Sequence, residues 1–326
     1  MFLEWASFAN KNHTDMIYFS VIIPLFNKEK FIEATLGSVL EQSFTNFEII
    51  IVNDGSTDKS EEIVLKFNDT RIKYFSKKNE GVSVARNYGI QQSKGVYIAL
   101  LDADDLWFPN HLEVLNKLIY KFPEAGLYAS RYISKVSKDK HITNNFLKIA
   151  ENFSGIVPDF FYSSLISRIA LTSVLAIPKS VLNKTGLFNP NISSGQDLDL
   201  WIKIALFFPV AITNLVTVEY NTIDSNSLSK TNIRDKNLID FSQFQENEKN
   251  NPSLKAFIDV NRMDYALKFK ISGDLKKANE YYKSIAKKNI TVKNWIVFHL
   301  PRWIQIPLLR FKKKLYKNGI YFSVYR

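Results

Sequence analysis

The run Asp102-Ala103-Asp104-Asp105 follows the apolar stretch Tyr97–Leu101. Carboxylates clustered behind a buried strand repel one another and raise each other's pKa. A divalent cation removes that penalty, and a cation held there also grips a diphosphate. The plainer reading is a solvated turn that caps the following helix. Asn53-Asp54-Gly55-Ser56 stands in the equivalent place behind Phe47–Val52. Its residues suit a turn into a helix, and a carboxylate there can also accept the N–H of a uracil or similar base. In Gly81-Val82-Ser83-Val84-Ala85-Arg86-Asn87, Arg86 is a permanently charged fork suited to phosphate; a lone arginine on a helix is also commonly a paired surface residue. Asp197, in Gly195-Gln196-Asp197, opens a helical run, where the macrodipole alone favours an acid. It qualifies as a general base for a sugar hydroxyl if the fold sets it opposite the carboxylate cluster.

Other chemistries lack their residues. The chain has no cysteine, so disulfides and zinc-thiolate sites are excluded, and its 4 histidines (His13, His111, His141, His299) have no metal-ligand spacing. Any metal must be held by oxygen, which favours Mg²⁺ or Mn²⁺. A phosphatase of the haloacid type needs its nucleophilic aspartate at the end of the first strand, where this chain has Pro24-Leu25-Phe26-Asn27. The GxGxxG of a dinucleotide-binding oxidoreductase is absent from the same place.

The elements that position these residues follow from hydrophobic periodicity. Phe19–Pro24, Phe47–Val52, Arg71–Phe75 and Val96–Leu101 read as strands, and Phe31–Leu40, Asp58–Phe67 and Val82–Gln92 read as helices between them. Strand–helix alternation with near-continuous apolar strands predicts a parallel sheet covered on both faces. Ligands of such sheets bind at the carboxyl ends of the strands, where the three polar clusters fall. Further along, His111–Tyr120 and Leu198–Leu206 are expected helices, and Leu127–Val136, Leu171–Ile177 and Val210–Tyr220 expected strands. Residues 137–157 give little periodic signal and read as a loop or lid. Asn221–Asn232 is polar and reads as mobile. Residues 236–290 predict two or three helices broken at Gly273-Asp274.

Together the motifs resemble the inverting glycosyltransferases of family 2, of GT-A fold. The likeness covers roughly residues 18–220 through SVIIPLFNKEKFIEATLGSVLEQSF, FEIIIVNDGSTD, GVSVARNYGI, YIALLDADDLW and GQDLDLW, in that order. It implies an α/β, Rossmann-like, mostly parallel central sheet with flanking helices, and a C-terminal helical extension. It also implies roles. Pro24, Phe26 and Asn27 would line a nucleotide pocket, with Glu29 towards the ribose and Asp54 reading the base. Arg86 would lie near the base or pyrophosphate. Asp102 and Asp104 would form the DxD pair, Asp104 being the direct metal ligand, and Asp197 would be the catalytic base. The family often has Glu before that aspartate; here it is Gln196, which bears on acceptor contacts. The implied activity is transfer of a sugar from a nucleotide-diphosphate donor, by default a UDP-sugar, to a hydroxyl acceptor in cell-surface glycan synthesis. The alternatives are a nucleotidyltransferase, or a non-catalytic sugar-nucleotide-binding or membrane scaffold protein on the same fold.

At 326 residues and 46% hydrophobic, the chain can bury a large core. The reading divides it into an N-terminal extension (1–17, with Met16 a candidate start), a GT-A domain (18–222, with a nucleotide-binding half at 18–108 and an acceptor half at 109–222), a helical region (223–291) and a basic aromatic tail (292–326). The N-terminus makes a poor signal peptide, and no apolar run reaches the roughly 18 residues of a membrane span. Much of the net charge of +11 lies in the tail, where Trp295, Trp303, Phe311 and Tyr316 interleave with Arg302, Arg310, Lys312, Lys313, Lys314 and Lys317, and where Pro301 and Pro307 are expected to interrupt any long helix. That mixture suits an anionic membrane surface, or alternatively a helix packed on the domain with a solvated basic face. No nucleic-acid module is visible. The expected partners are a nucleotide-sugar donor and a glycan or lipid-linked acceptor. The expected location is cytoplasmic, peripheral on the inner face of the membrane.

Overall fold

The structure is a computed structural model that describes residues 17–223 and 232–320. The N-terminal extension up to residue 16, most of the polar stretch after Asn221 and the last six residues of the tail lie outside the described residues.

The strands are β1 (Phe19–Leu25), β2 (Phe47–Asp54), β3 (Ile72–Lys77), β4 (Tyr97–Leu100), β5 (Leu106–Trp107), β6 (Leu127–Ser137), β7 (Lys140–Thr143), β8 (Gly155–Ile156), β9 (Leu175–Pro178) and β10 (Val210–Asn221). The helices are α1 (Ile32–Leu40), α2 (Ser60–Val64), α3 (Val82–Gln92), α4 (His111–Lys121), α5 (Phe160–Ser163), α6 (Lys179–Thr185), α7 (Gln196–Phe207), α8 (Gln245–Asn250), α9 (Pro252–Ser272), α10 (Leu275–Lys283), α11 (Val292–His299) and α12 (Arg302–Lys317).

All ten strands join one sheet, in the order β3-β2-β1-β4-β9-β6-β10-β5, with β7 added to β6 and β8 to β10. β1 pairs in parallel with β2 and β4, β2 with β3, and β6 with β10. β9 runs antiparallel to both β4 and β6. Strands β1, β2, β3, β4, β6 and β10 therefore share one direction, and their carboxyl ends form one edge. β1 and β2 are buried almost throughout, as expected of strands covered on both faces. α3 packs across β1 and β2, and its Gly89 allows close approach, since a Cβ there would lie 2.6 Å from a methyl of Ile22.

Three expectations change. The helix over Asp58–Phe67 contracts to Ser60–Val64, with Asp58 accepting from the Ser60 N–H just ahead of it. The stretch 137–157 carries β7 and β8, which are too short to show a period. In the tail, Pro301 does separate α11 from α12, but Pro307 lies inside α12. The missing N–H would have served the carbonyl of Trp303. Trp303 and Pro307 are both exposed, so water can reach that carbonyl and the helix continues. The break at Gly273-Asp274 is as expected: Gly273 has φ +89 and Asp274 caps α10 through the Lys277 N–H at 3.0 Å.

Candidate functional site

Asp54 ends β2 and is buried. Its Oδ1 accepts from the Glu80 N–H at 3.0 Å and from Lys77 Nζ at 2.8 Å, and its Oδ2 from the Gly81 N–H at 2.8 Å. Gly81 has φ +95, the left-handed region that lets the chain turn this amide onto the carboxylate before α3 begins. A carboxylate offers about four acceptor positions. Three are filled here, which leaves one on Oδ2. The Lys77 ammonium is held above its ordinary pKa: burial works against it, and Asp54 and Glu80 outweigh burial.

Asn27 clamps the ends of β1 and β2 together. Its N–H donates to Ser56 Oγ at 3.0 Å and its Oδ1 accepts from the Thr57 N–H at 2.8 Å, with φ at 52°. Glu29 braces the same loop, accepting from the Lys59 N–H at 3.1 Å. Pro24 sits within β1 opposite Val52. Phe26, one residue past the strand, is 44% exposed and offers an aromatic face at the edge.

The Asp102–Asp105 loop follows β4. Arg86 Nη2 meets Asp102 Oδ1 at 2.5 Å, and the guanidinium lies 5.1 Å from the centre of the Phe188 ring. Its Nε and Nη1 are buried without partners. Lys28 Nζ lies 2.6 Å from Asp104 Oδ2. Asp105 is fully buried and faces inward: it accepts from the Ser173 hydroxyl and, at 2.8 Å, from the Asn221 N–H. Burial first, then the charges of Asp104 and Asp102, push its carboxyl well above the usual range. Asp105 thus braces the loop against β10 and the segment before β9, and leaves Asp102 and Asp104 to face outward.

Asp197 lies in the first turn of α7. Its Oδ1 accepts from the Leu198 N–H at 2.8 Å, and its Oδ2 lies 3.4 Å from Arg168 Nη1. Arg168 Nη2 also reaches Asn261 Oδ1 on α9 at 3.4 Å, and the Arg168 carbonyl accepts from the Tyr132 hydroxyl at 3.0 Å. Its guanidinium sits in a recess, yet 45% of the side chain stays accessible. Burial works against its charge, and Asp197 together with Tyr265, Asp264 and Tyr220 outweighs it. The Tyr220 hydroxyl is pushed up by burial and then by Asp105, Asp102 and Asp104. Tyr220 is thus within electrostatic reach of the carboxylate loop, and it weighs on Arg168 as well. A second chain of contacts joins them beneath: Trp201 of α7 meets Phe188 edge-on at 5.8 Å, and Phe188 lies under Arg86. Gln196 Oε1 is buried without a partner. A glutamate in its place would add a second carboxylate beside Asp197, at a desolvation cost.

Asp102 thus pairs with Arg86 and Asp104 with Lys28 on one loop, Asp54 and Asn27 stand at neighbouring strand ends, and the helix that Asp197 opens reaches Arg86 through Trp201 and Phe188. Four contributors were not singled out from the sequence. Lys28 lay inside a motif read for its neighbours, and Ser173 and Tyr220 lay in stretches read only as strands. Arg168 carried no local signal. Among the described residues no group of three or more His, Cys, Asp or Glu side chains is arranged to hold a metal ion. Mg²⁺ and Mn²⁺ commonly take one or two carboxylates and complete their shell with substrate phosphates and water. Asp102 and Asp104 fit such a cation, and the Lys28 ammonium marks a position where positive charge is accommodated against Asp104.

The sequence model described as Glycosyl transferase family 2 matches residues 20–168. An uncharacterized glycosyltransferase of Rickettsia typhi, RT0329, is 33% identical over 221 residues, covering 67% of this chain and 68% of the relative. An uncharacterized glycosyltransferase of Rickettsia bellii is 40% identical over 192 residues; the match covers 57% of this chain but spans only 26% of that relative's length. The Escherichia coli UDP-Glc:alpha-D-GlcNAc-diphosphoundecaprenol beta-1,3-glucosyltransferase WfgD is 36% identical over 112 residues, 34% of this chain and 44% of that one. The crystal structure of S. aureus TarS 1-349 in complex with UDP-GlcNAc superposes with a TM-score of 0.64 at 18% identity, covering 94% of this chain and 93% of that one. That likeness establishes the GT-A fold with its C-terminal helical region. The family match and the Rickettsia typhi relative, at 33% identity over 68% of its length, establish that the chain belongs to glycosyltransferase family 2.

Proposed function

We propose that the protein transfers a sugar from a nucleotide-diphosphate donor, with UDP as the expected nucleotide, to a hydroxyl of a glycan or lipid-linked acceptor, inverting the anomeric carbon. The observation that carries this reading is the chain of contacts from the helix that Asp197 opens to the carboxylate loop: Trp201 meets Phe188, Phe188 lies under Arg86, and Arg86 holds Asp102. A base set near a diphosphate-binding loop is what an in-line displacement requires. TarS, solved with UDP-GlcNAc, and WfgD, named for a diphosphoundecaprenol acceptor, support the donor and acceptor classes.

In this reading Phe26 stacks on the base, and the open acceptor position of Asp54 Oδ2 takes a base N–H. Asp197 accepts the proton of the acceptor hydroxyl as its oxygen bonds to the anomeric carbon. The bond from that carbon to the diphosphate oxygen breaks, and its electron pair leaves with the nucleoside diphosphate. Asp102 and Asp104 would hold Mg²⁺ or Mn²⁺, which when bound neutralises charge on the leaving diphosphate. Arg168 exchanges its long contacts to Asp197 and Asn261 for developing negative charge in the recess, and so restores the basicity of Asp197. The enzyme works from the cytoplasmic side against a membrane that carries the acceptor.

Incubation with a panel of UDP-, GDP- and dTDP-sugars and Mn²⁺ tests the reading. Release of nucleoside diphosphate, lost on chelation and restored by Mn²⁺, is expected. Release of pyrophosphate would make the protein a nucleotidyltransferase. Nucleotide binding without turnover on any acceptor would make it a binding protein.

A further inference from the structure

No helix among the described residues is long and apolar enough to cross a membrane. Exposed large apolar side chains nevertheless concentrate in one place. Among the described residues fifteen such side chains are exposed, and seven of them lie between residues 292 and 320, which is only about a tenth of the chain. On α11 they are Val292 (76%), Trp295 (53%) and Ile296 (46%); on α12 they are Trp303 (75%), Leu308 (44%) and Phe311 (58%). Positions 303, 307 and 311 are four apart and share one face of α12, so Trp303, Pro307 and Phe311 form a continuous outward stripe. Arg310, Lys314 and Lys317 run alongside it at i,i+4 and i,i+3 spacing, with Lys313 next to them, all four exposed and without an ion pair among the described residues. From 292 to 320 the chain has seven lysines and arginines and no acid.

The opposite face is fixed to the protein. Gln305, 3% exposed, donates to the carbonyls of Val297 at 2.6 Å and Phe298 at 3.3 Å. Phe298 stacks on Tyr282 at 4.0 Å, with 3° between the rings. α12 packs on α9 and β6, and the Tyr316 hydroxyl bonds Ser134 and Thr222. Thr222 follows Asn221, whose N–H holds Asp105. The end of α12 thus reaches the sheet edge that carries the carboxylate loop.

We infer that α11 and α12 form a docking surface for an anionic lipid bilayer. Trp303, Phe311 and the apolar face of α11 enter the headgroup region, and Arg310, Lys313, Lys314 and Lys317 meet lipid phosphates. Rigid attachment at Gln305 and Tyr316 then turns the site edge towards the membrane. The inference draws its use from the proposed membrane-borne acceptor, but vesicle binding needs neither donor nor turnover, so the two fail separately.

The test is sedimentation of the full chain with phosphatidylcholine vesicles, with or without phosphatidylglycerol, at low and high salt, together with tryptophan emission. Binding to the anionic vesicles, weakened by salt and accompanied by a blue shift, is expected. The double variant Trp303→Ser/Phe311→Ser, and the quadruple variant Arg310→Gln/Lys313→Gln/Lys314→Gln/Lys317→Gln, should each lower partition by about tenfold or more. All six positions face solvent, so far-UV circular dichroism and Tm should match wild type. No binding of the wild type to anionic vesicles, or binding by both variants as strong as that of the wild type, overturns the inference. So does a lipid-free dimer that the double variant dissolves, which would give the surface to a second copy of the chain.

Discussion

Replacing Asp197 by asparagine separates catalysis from folding, because the structure sets a small cost on one and a large cost on the other. The Leu198 N–H, 2.8 Å from Asp197 Oδ1, keeps an acceptor in the amide. What is lost is the charge facing Arg168, a 3.4 Å contact to a side chain that is 45% exposed. An ion pair so open to water contributes about 1 kcal/mol at most. In a chain of 326 residues Tm should move by about 1–2 °C at most. A positioned general base, in contrast, contributes about 10²–10⁴ in rate, or about 3–5 kcal/mol of barrier. Nucleotide release would be measured with the donor and acceptor that give the highest wild-type rate, beside a thermal melt of the same preparation. The expected result is turnover lower by about a hundredfold or more, with near-native Tm and unchanged nucleotide affinity. Turnover within about tenfold of wild type would remove Asp197 from the chemistry, and the proposed role of Arg168 would go with it.

Three other outcomes follow from individual side chains. Gly195 has φ +89, and a Cβ there would meet the Tyr265 hydroxyl at 2.8 Å and an Ile239 methyl at 2.9 Å. Gly195→Ala should therefore cost about 2 kcal/mol or more through strain and overpacking, and lower turnover by shifting the start of α7; an unchanged melt would contradict that geometry. His111 is fully buried, bonded to Thr217 at 2.7 Å, and burial holds its pKa down at about 3 against an ordinary 6.5. The unfolded chain therefore takes up the proton first, so its contribution is complete above pH 6.5 and is lost as pH falls towards 3. Urea unfolding at pH 7 and pH 5 should show about 2 kcal/mol less acid destabilisation in His111→Phe than in wild type, and equal pH dependence would refute it. Asp105 has the opposite sign, since its raised pKa favours the protonated form in the fold, and it is common to both proteins. Lys28→Met removes the ammonium 2.6 Å from Asp104; calorimetric titration should show Mn²⁺ binding tightened by about tenfold, in line with roughly 1–2 kcal/mol for a charged contact, and weaker binding would make Lys28 a supporting residue rather than a competitor.

Much of this was legible because the nucleotide half is built from local signals. β1 and β2 are buried on both faces, so their apolar runs are unbroken, and the polar residues that end them stand out. The bounds Val82–Gln92 are those the spacing predicts, and Gly273-Asp274 announces its break through one left-handed residue and one cap. What escaped was set by distant partners. β7 and β8 exist only because β6 and β10 offer them an edge. Pro307 is tolerated because the carbonyl it orphans faces water, which depends on which side of α12 packs. Arg168 gains its meaning from Asp197, Asn261 and Tyr132, 29, 93 and 36 residues away, and no window along the chain contains that group. The carboxylates were readable as types; the cation that each one meets was not.

Those pairings bear on how a donor can enter. Asp54 meets Lys77, Asp102 meets Arg86, Asp104 meets Lys28 and Asp197 meets Arg168. The edge is therefore close to neutral, although its acids alone would form a strongly negative site. That matters because Asp105 behind them is already raised by burial and by its two neighbours; without Arg86 and Lys28 the loop would hold three carboxylates in mutual repulsion. A diphosphate donor carries about two negative charges, and a divalent cation bound with it cancels them, so donor and cation together enter without changing the balance. The bare diphosphate would have to pull Arg86, Lys28 or Arg168 from its carboxylate, and would leave that acid unpaired in a partly buried setting. In the proposed reading, metal dependence would need no resident ion: it would follow from a site whose acids and bases are already matched, and which would accept a neutral pair more readily than an anion.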